Sequence, residues 1–349
     1  GDLGLSAPDA EWMNTIYSLV FAALLISVGR AGDILGRRRL FIAGVVVFVL
    51  SSVWAGRAGG PSALILARLV QGIGGAMILP STLSSVNAMF RGKERAIAFG
   101  IWGSVIGGMA ALGPLVGGWL TTDHSWRWIF YINVPVGIIA VIGALTLVPE
   151  TRDKHAPRGF DPPGVVLSAL GLGALVFALI ESQRYGWWTP TSEFSAFGAD
   201  WPLESLSIVP VSAALAVILL GGFVVLERRR SRAGKPVVVD LSMFRITSFI
   251  NGNLAAMVVS LGELGLIFAL PLFIQSVLGY TALQTGWVFV ALASGAFVAG
   301  GLAAQLATRY GSRRVVLLGF AVEVVSLAVL AATLSVDSTG WTLSAPLFF

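Results

Sequence analysis

The chain is predicted to be an all-α polytopic membrane protein. Of its 349 residues 56% are hydrophobic and only 12% charged, well below the roughly 25% charged residues of a soluble globular domain. Apolar runs of about 20 residues, enough to cross a bilayer as a helix, recur along the whole length. Short glycine-bearing basic turns separate many of them. The first, Gly29-Arg30-Ala31-Gly32-Asp33-Ile34-Leu35-Gly36-Arg37-Arg38-Arg39, lies between apolar runs at Met13–Val28 and Leu40–Ala55. A connection this tight makes its two helices antiparallel neighbours.

Ten spans follow in order. The first five lie near 13–32, 40–56, 62–89, 96–120 and 127–148. They are separated by the basic turn, by Gly56-Arg57-Ala58-Gly59-Gly60-Pro61, by Arg91-Gly92-Lys93-Glu94-Arg95 and by Thr121-Thr122-Asp123-His124-Ser125. A charged, proline-bearing stretch from Glu150 to Pro163 reads as a linker. The sixth span, near 164–181, leads into the longest polar stretch, 182–204, where Trp187, Trp188 and Trp201 suit the membrane interface. The seventh, near 205–226, ends at Glu227-Arg228-Arg229-Arg230-Ser231-Arg232. Spans near 246–278, 282–307 and 315–334 complete the set, and another apolar segment starts at the C-terminal end.

Charge placement agrees with this map. Short basic loops stay cytoplasmic, and alternating sides puts every Lys and Arg inside except Arg57, Arg127 and Arg184, which fall outside, and Arg68, which lies within a span. The first residue then falls outside, so a preceding span is expected. A multi-pass protein of the plasma (inner) membrane with cytoplasmic basic loops is the expectation. The chain has no Cys, and its two His are far apart in loops, so neither disulfides nor a metal cluster is expected. The basic residues are dispersed, which argues against nucleic acid. No nucleophile–base set or phosphate-binding Gly-x-x-x-x-Gly-Lys-(Ser/Thr) stretch occurs, so the chain is not read as an enzyme. The segment Ala303–Arg314 repeats the Gly and paired Arg of the first turn, with Thr308 in the place of Asp33, a sign of two related halves.

Three motifs and a few buried charges carry the functional reading. In the first turn, Asp33 can accept hydrogen bonds from helix N-termini or pair with an Arg of an adjacent helix; the same residues also serve as a plain topogenic loop. In Leu66–Ala76, Arg68 within a span faces either a cavity or partner, or the interface by snorkelling. In Gly107–Gly118, the glycines permit close helix approach while Pro114 interrupts the hydrogen-bond ladder. Among acids within spans, Glu263 and Glu323 fall near the middle and Glu181 at an outer end. A buried carboxyl can exchange a proton or meet a cation, or be a protonated structural residue.

The turn Gly29–Arg39 resembles the signature Gly-x-Leu-(Gly/Ala)-Asp-x-x-Gly-Arg-Arg of the major facilitator superfamily, with Ala31 in the place of Leu. Gly113-Pro114-Leu115-Val116-Gly117-Gly118 resembles the antiporter signature of that superfamily. Ser125–Gly137, Phe160–Gly164 and Leu270–Tyr280 are similar to further segments of its fourteen-helix drug:proton antiporter family. The resemblance implies a major facilitator fold, with two pseudo-symmetric helix bundles and a central helix pair. It divides the chain into an N-terminal bundle (1–149), a linker with the central pair (150–235) and a partial C-terminal bundle (236–349), lacking the family's helices 1 and 12–14. It also implies a cytoplasmic gate at Gly29, Gly32, Asp33, Gly36, Arg37 and Arg38, and proton coupling at Arg68, to which the acids Glu263 and Glu323 are added. A leak-preventing bend is implied at Gly113, Pro114, Gly117 and Gly118.

The implied activity is efflux of lipophilic, cationic drugs in exchange for protons by alternating access. Its partners are the small lipophilic substrate, protons and membrane lipid; no catalytic residue, metal or cofactor is expected, the proton gradient being the energy source. Export of an endogenous lipid or metabolite, or a truncated protein that does not transport, are the alternatives.

Overall fold

The computed structural model describes residues 7–152, 159, 161–196, 199–203 and 205–349. Twelve α-helices occur among them: α1 (Ala7–Leu35), α2 (Arg37–Gly56), α3 (Pro61–Met89), α4 (Gly92–Asp123), α5 (Trp128–Tyr131), α6 (Asn133–Leu147), α7 (Pro162–Tyr185), α8 (Ile208–Arg232), α9 (Thr247–Ser276), α10 (Ala282–Tyr310), α11 (Ser312–Thr333) and α12 (Gly340–Phe348). Each predicted span is a helix, except that the fifth is split into α5 and α6. The apolar segment expected at the C-terminal end is α12. Among the described residues nine segments are long and apolar enough to cross a membrane. The 32-residue α4 covers the remaining predicted span, and several of its side chains, Pro114 among them, lie outside the described residues. So do Lys154, His155, Arg158 and Phe160 of the predicted linker.

The polar stretch between α7 and α8 holds the one departure from helix among the described residues apart from turns. Strands β1 (Ser195–Ala196) and β2 (Ala199–Asp200) form a two-residue antiparallel pair, with Ser195 opposite Asp200. Trp201 closes this loop by donating its indole N–H to the Leu206 carbonyl at 2.7 Å. Trp187 and Trp188 are exposed, as suits interfacial anchors.

Local chemistry sets the helix ends. Asp161 caps α7 by accepting the Gly164 N–H, with proline at the first helical position. Ser207 caps α8, and Thr281 with Gln284 forms a capping box on α10. The predicted repeat appears as two one-residue links. Gly36 (φ 113°) joins α1 to α2, and Gly311 (φ 83°) joins α10 to α11, at positive φ that favours glycine.

By contact the chain forms two compact units. One contains Gly1–Ser85 and Phe130–Thr247; the other contains Val86–Ile129 and Ser248–Phe349. These do not follow the sequential division at 149 and 235, because α4 packs along α10. In the first unit α1 packs on α7, α7 on α8 and α2 on α6, and α2 meets α3 at Gly44 and Gly74. A Cβ on Gly74 would lie 2.7 Å from the Phe48 backbone nitrogen and 2.9 Å from the Gly44 carbonyl oxygen. Helices in lipid gain little from apolar burial against one another and rely on such close backbone packing.

In the second unit a core of Leu270, Ile274, Val288, Phe289, Leu330, Leu343 and Leu347 joins α9, α10, α11 and α12. The α4–α10 contact is closest at Gly300, where Ser104 donates its hydroxyl to the Gly100 carbonyl and reaches the Phe297 carbonyl across the pair. A Cβ on Gly300 would overlap Ser104 Oγ and sit 2.7 Å from the Gly100 oxygen. Gly300→Ala is expected to destabilise the protein by about 1–3 kcal/mol through overpacking. Gly301→Ala, whose Cβ would meet nothing within 4 Å, should be neutral or gain about 0.5–1 kcal/mol. Denaturant titration in detergent distinguishes the two; equal effects would exclude the close approach.

Candidate functional site

The charged turn between α1 and α2 is held by a residue far away in sequence. Gly36 supplies no side chain to cap α2, so the first N–H groups of that helix need acceptors from elsewhere. Glu150, just beyond α6, provides them: its carboxylate accepts the backbone N–H groups of Arg38 at 3.1 Å and Arg39 at 3.2 Å. The Thr151 carbonyl accepts the Arg37 N–H at 2.9 Å. Arg38 donates through Nη1 to the Val148 carbonyl at 3.1 Å, and Arg39 lies 3.7 Å from the Glu150 carboxylate.

A negative charge at a helix N-terminus is favourable, and here each carboxylate oxygen takes one N–H of α2, Oε1 accepting that of Thr151 as well. Glu150 also explains why position 36 is glycine, since a Cβ there would sit 2.6 Å from Glu150 Oε1. Asp33, on the last turn of α1, accepts from Arg37 Nε at 3.1 Å and Nη2 at 2.8 Å. Thus Asp33, Gly36, Arg37 and Arg38 form one cluster with Glu150. Gly32 and Gly29 pack beside it against α3, where an added Cβ would lie 3.7 Å from Ser81 Oγ and 3.4 Å from Pro80 Cβ respectively. Only Glu150 was absent from the sequence-derived set; its sole signal was an acid at the end of an apolar run.

Arg68 on α3 sits in a polar chain within the first unit. Its Nε donates to the Met13 carbonyl at 3.2 Å, and its Nη1 donates to Gln71 Oε1 at 2.7 Å. The guanidinium lies 4.3 Å from the Tyr17 ring centroid, a cation–π geometry. Gln71 passes the chain on by donating to Ser52 Oγ at 2.8 Å, and Asn133 donates to the same hydroxyl at 3.2 Å. Gln71 and Ser52 are buried, so each atom in the chain needs its neighbour. Among the residues whose side chains are described, no carboxylate lies within ion-pair distance of Arg68. Its charge is met by a carbonyl, an amide and a ring.

Glu263 and Glu323 lie on α9 and α11, 60 positions apart, yet they line one cavity of about 130 Å³ with Leu266, Leu292, Ser326 and Phe349 among its other walls. Glu323 lies beside Gly262, where an added Cβ would be in ordinary contact with Glu323 Oε1 at 3.6 Å. Glu181, expected at the outer end of its span, is buried. On α4, a Cβ added to Gly113 or Gly117 would meet nothing within 4 Å among the described residues. The tight contacts of α4 with α10 are made instead by Gly286, against Leu115, and by Gly300. Gly118 is buried, and Thr121 hydrogen-bonds the carbonyls of Gly117 and Gly118.

Glu150→Ala is expected to cost about 0.5–2 kcal/mol, the usual loss on removing a helix N-cap. Glu150→Gln keeps one acceptor oxygen and should fall between wild type and alanine. Denaturant titration checks the order; an alanine variant as stable as wild type would exclude the cap.

These geometries agree with the relationships of the chain. The family model described as Major Facilitator Superfamily matches residues 1–349. Among curated relatives, the puromycin resistance protein pur8 of Streptomyces alboniger is 36% identical over 317 residues, covering 90% of this chain and 58% of that protein. The tetracenomycin C resistance and export protein of Streptomyces glaucescens is 30% identical over 337 residues, covering 97% and 59%. The multidrug efflux pump LfrA of Mycolicibacterium smegmatis is 34% identical over 310 residues, covering 88% and 57%. The chain therefore spans less than two thirds of the length of these relatives. With a family match that runs from its first residue to its last, and with an all-helical architecture of many membrane-crossing segments, the chain belongs to the Major Facilitator Superfamily.

Proposed function

We propose that the protein exports lipophilic cations from the cell in exchange for protons, by alternating access across the plasma membrane. The observation that carries this reading is the meeting of two carboxylates from different membrane helices, Glu263 and Glu323, at one largely apolar cavity. Such a wall can hold a proton or a cation, and competition between the two is enough for exchange. The names of relatives, which speak of resistance, export and efflux of antibiotics and other drugs, support the substrate class.

Other parts take roles consistent with this. Arg68, held by a carbonyl, an amide and a ring, adds positive charge to the interior of its unit and takes the coupling role that the family resemblance implies. The Asp33–Arg37 pair and the Glu150 cap tie α1, α2 and the end of α6 together at the basic turn, which forms the cytoplasmic gate. The basic loops lie on the cytoplasmic side, following the usual charge bias. The Gly113–Gly118 segment restricts leak.

The test is drug-evoked proton movement in inverted vesicles, read with a pH-sensitive dye on addition of ethidium. Wild type should release protons, and Glu263→Gln or Glu323→Gln should reduce this about 5- to 150-fold, the range of ordinary coupling free energies. Arg68→Ala should reduce it too, while Asp33→Asn should slow turnover. Proton movement unaffected by both Gln variants would remove the two acids from the coupling. Silence across a panel of lipophilic cations would overturn drug export in favour of a native lipid or metabolite, or of a protein that does not transport.

A further inference from the structure

A second carboxyl pair, Asp161 with Glu227, lies in the first unit. Asp161 caps α7, and Glu227 is near the end of α8; they are 3% and 0% exposed. Both crowd Gly164, where an added Cβ would lie 2.7 Å from Asp161 Oδ2 and 2.7 Å from Glu227 Oε1. The two side chains are within hydrogen-bonding reach of each other.

Two of the four carboxylate oxygens accept backbone N–H groups. Asp161 Oδ1 accepts the Gly164 N–H at 3.0 Å, and Glu227 Oε2 accepts the Val239 N–H at 3.1 Å. Asp161 Oδ2 lies 3.0 Å from Arg230 Nε, although the hydrogen of that nitrogen points to the Pro236 carbonyl. What remains is a pair of buried oxygens, Asp161 Oδ2 and Glu227 Oε1, neither with a hydrogen-bond donor. They are the oxygens that share the space at Gly164.

Two acceptors facing each other lack a hydrogen, and one proton supplies it to both. The charge balance points the same way. Two ionised carboxylates beside one guanidinium leave a net negative charge in a site closed to water, which is costly. One added proton makes the cluster neutral. Among the described residues the other charged groups at this end of the unit include Asp33 on α1, which is paired with Arg37. Arg228 and Arg229 on α8 and Lys235 after it are exposed, and Asp240 is exposed and bonded to Ser242. Arg30 on α1 is half-buried at the same end of the α1–α7 pair, by the register that sets Trp12 against Phe177 and Ser27 against Ser168.

We propose that Asp161 and Glu227 form a proton-binding site at neutral pH, with the proton on Glu227 Oε1 and donated to Asp161 Oδ2, clasping the start of α7 to the end of α8. The Asp161 carboxylate faces Arg230 and caps α7. The site is independent of Glu263 and Glu323 and stands whether or not the protein transports. The folded chain holds a proton here that the unfolded chain releases at neutral pH, so stability is full in acid and falls as the pH rises through the titration of the site.

Infrared spectroscopy of the purified protein in lipid nanodiscs tests this. The wild-type minus Glu227→Gln difference spectrum at neutral pH should contain a protonated-carboxyl C=O band that shifts in heavy water and is lost at alkaline pH. The Gln amide supplies the same hydrogen bond without a proton, so the melting temperature of that variant should decline less with rising pH than that of wild type. Asp161→Asn retains the cap, lends its own N–H to Glu227 and should also lose the band; it serves if Glu227→Gln does not fold. Should neither fold, the wild-type spectrum alone decides: a protonated-carboxyl band must disappear together with the alkaline fall in melting temperature. Equal carboxyl bands in wild type and either variant, or no such band in wild type at neutral pH, would overturn the proposal.

Discussion

Inside a bilayer a backbone N–H or C=O without a partner has no water to turn to, so the chain must satisfy itself. Long helices do this along their length and leave the difficulty at their ends. Most of the distinctive features of this protein are answers to that difficulty. Asp161, Ser207 and Thr281 cap their own helices from the preceding residue. Between α1 and α2 one residue separates the helices, and it is a glycine, so the acceptors come from Glu150. The same demand explains Gln71, Ser52 and Asn133 beside Arg68. A polar group admitted to the interior draws in others until each is bonded.

The two copies of the internal repeat show how much a distant partner changes a turn. Gly36 and Gly311 occupy equivalent links between antiparallel helices and both adopt positive φ. A carboxylate closes in on the first, whereas a Cβ on Gly311 would meet nothing within 4 Å. The first link is held from three sides, by Asp33, Glu150 and the Thr151 carbonyl. The second copy has Thr308 where the first has Asp33, and Thr308 spends its hydroxyl on the Gln305 carbonyl of its own helix. One charged turn is a built cluster and the other, among the described residues, a bare hinge.

The helices were readable because length and apolarity are local properties. Spans predicted near 40–56 and 62–89 became Arg37–Gly56 and Pro61–Met89. Glycine and charge at a fixed spacing likewise marked the turn, and Arg68 was conspicuous as a charge inside an apolar run. Partners were less legible. Nothing near Glu150 in the chain states that it will reach Arg38, and nothing in Gly262 foretells that Glu323 will come to rest beside it. The Asp161–Glu227 pair joins the proline-bearing segment that opens α7 to what reads as a basic loop, 66 positions on. The contact-based units diverged from the sequential ones for the same reason. Which helix α4 lies along is decided by the small surfaces of Gly286 and Gly300, matched to Leu115 and Ser104, and such matching is three-dimensional.

The Glu150 cap also has a bearing on how the protein is made. A nascent chain leaves the ribosome from its N-terminus, so the α1–α2 hairpin reaches the membrane well before residue 150 has been synthesised. Until then the leading N–H groups of α2 and three adjacent arginines stand without their carboxylate. That interval leaves the turn positively charged. Once α6 has been laid down, Glu150 arrives, neutralises part of that charge and ties the hairpin to the end of α6. The rigidity of the turn thus comes after its synthesis, from a residue made more than a hundred positions later.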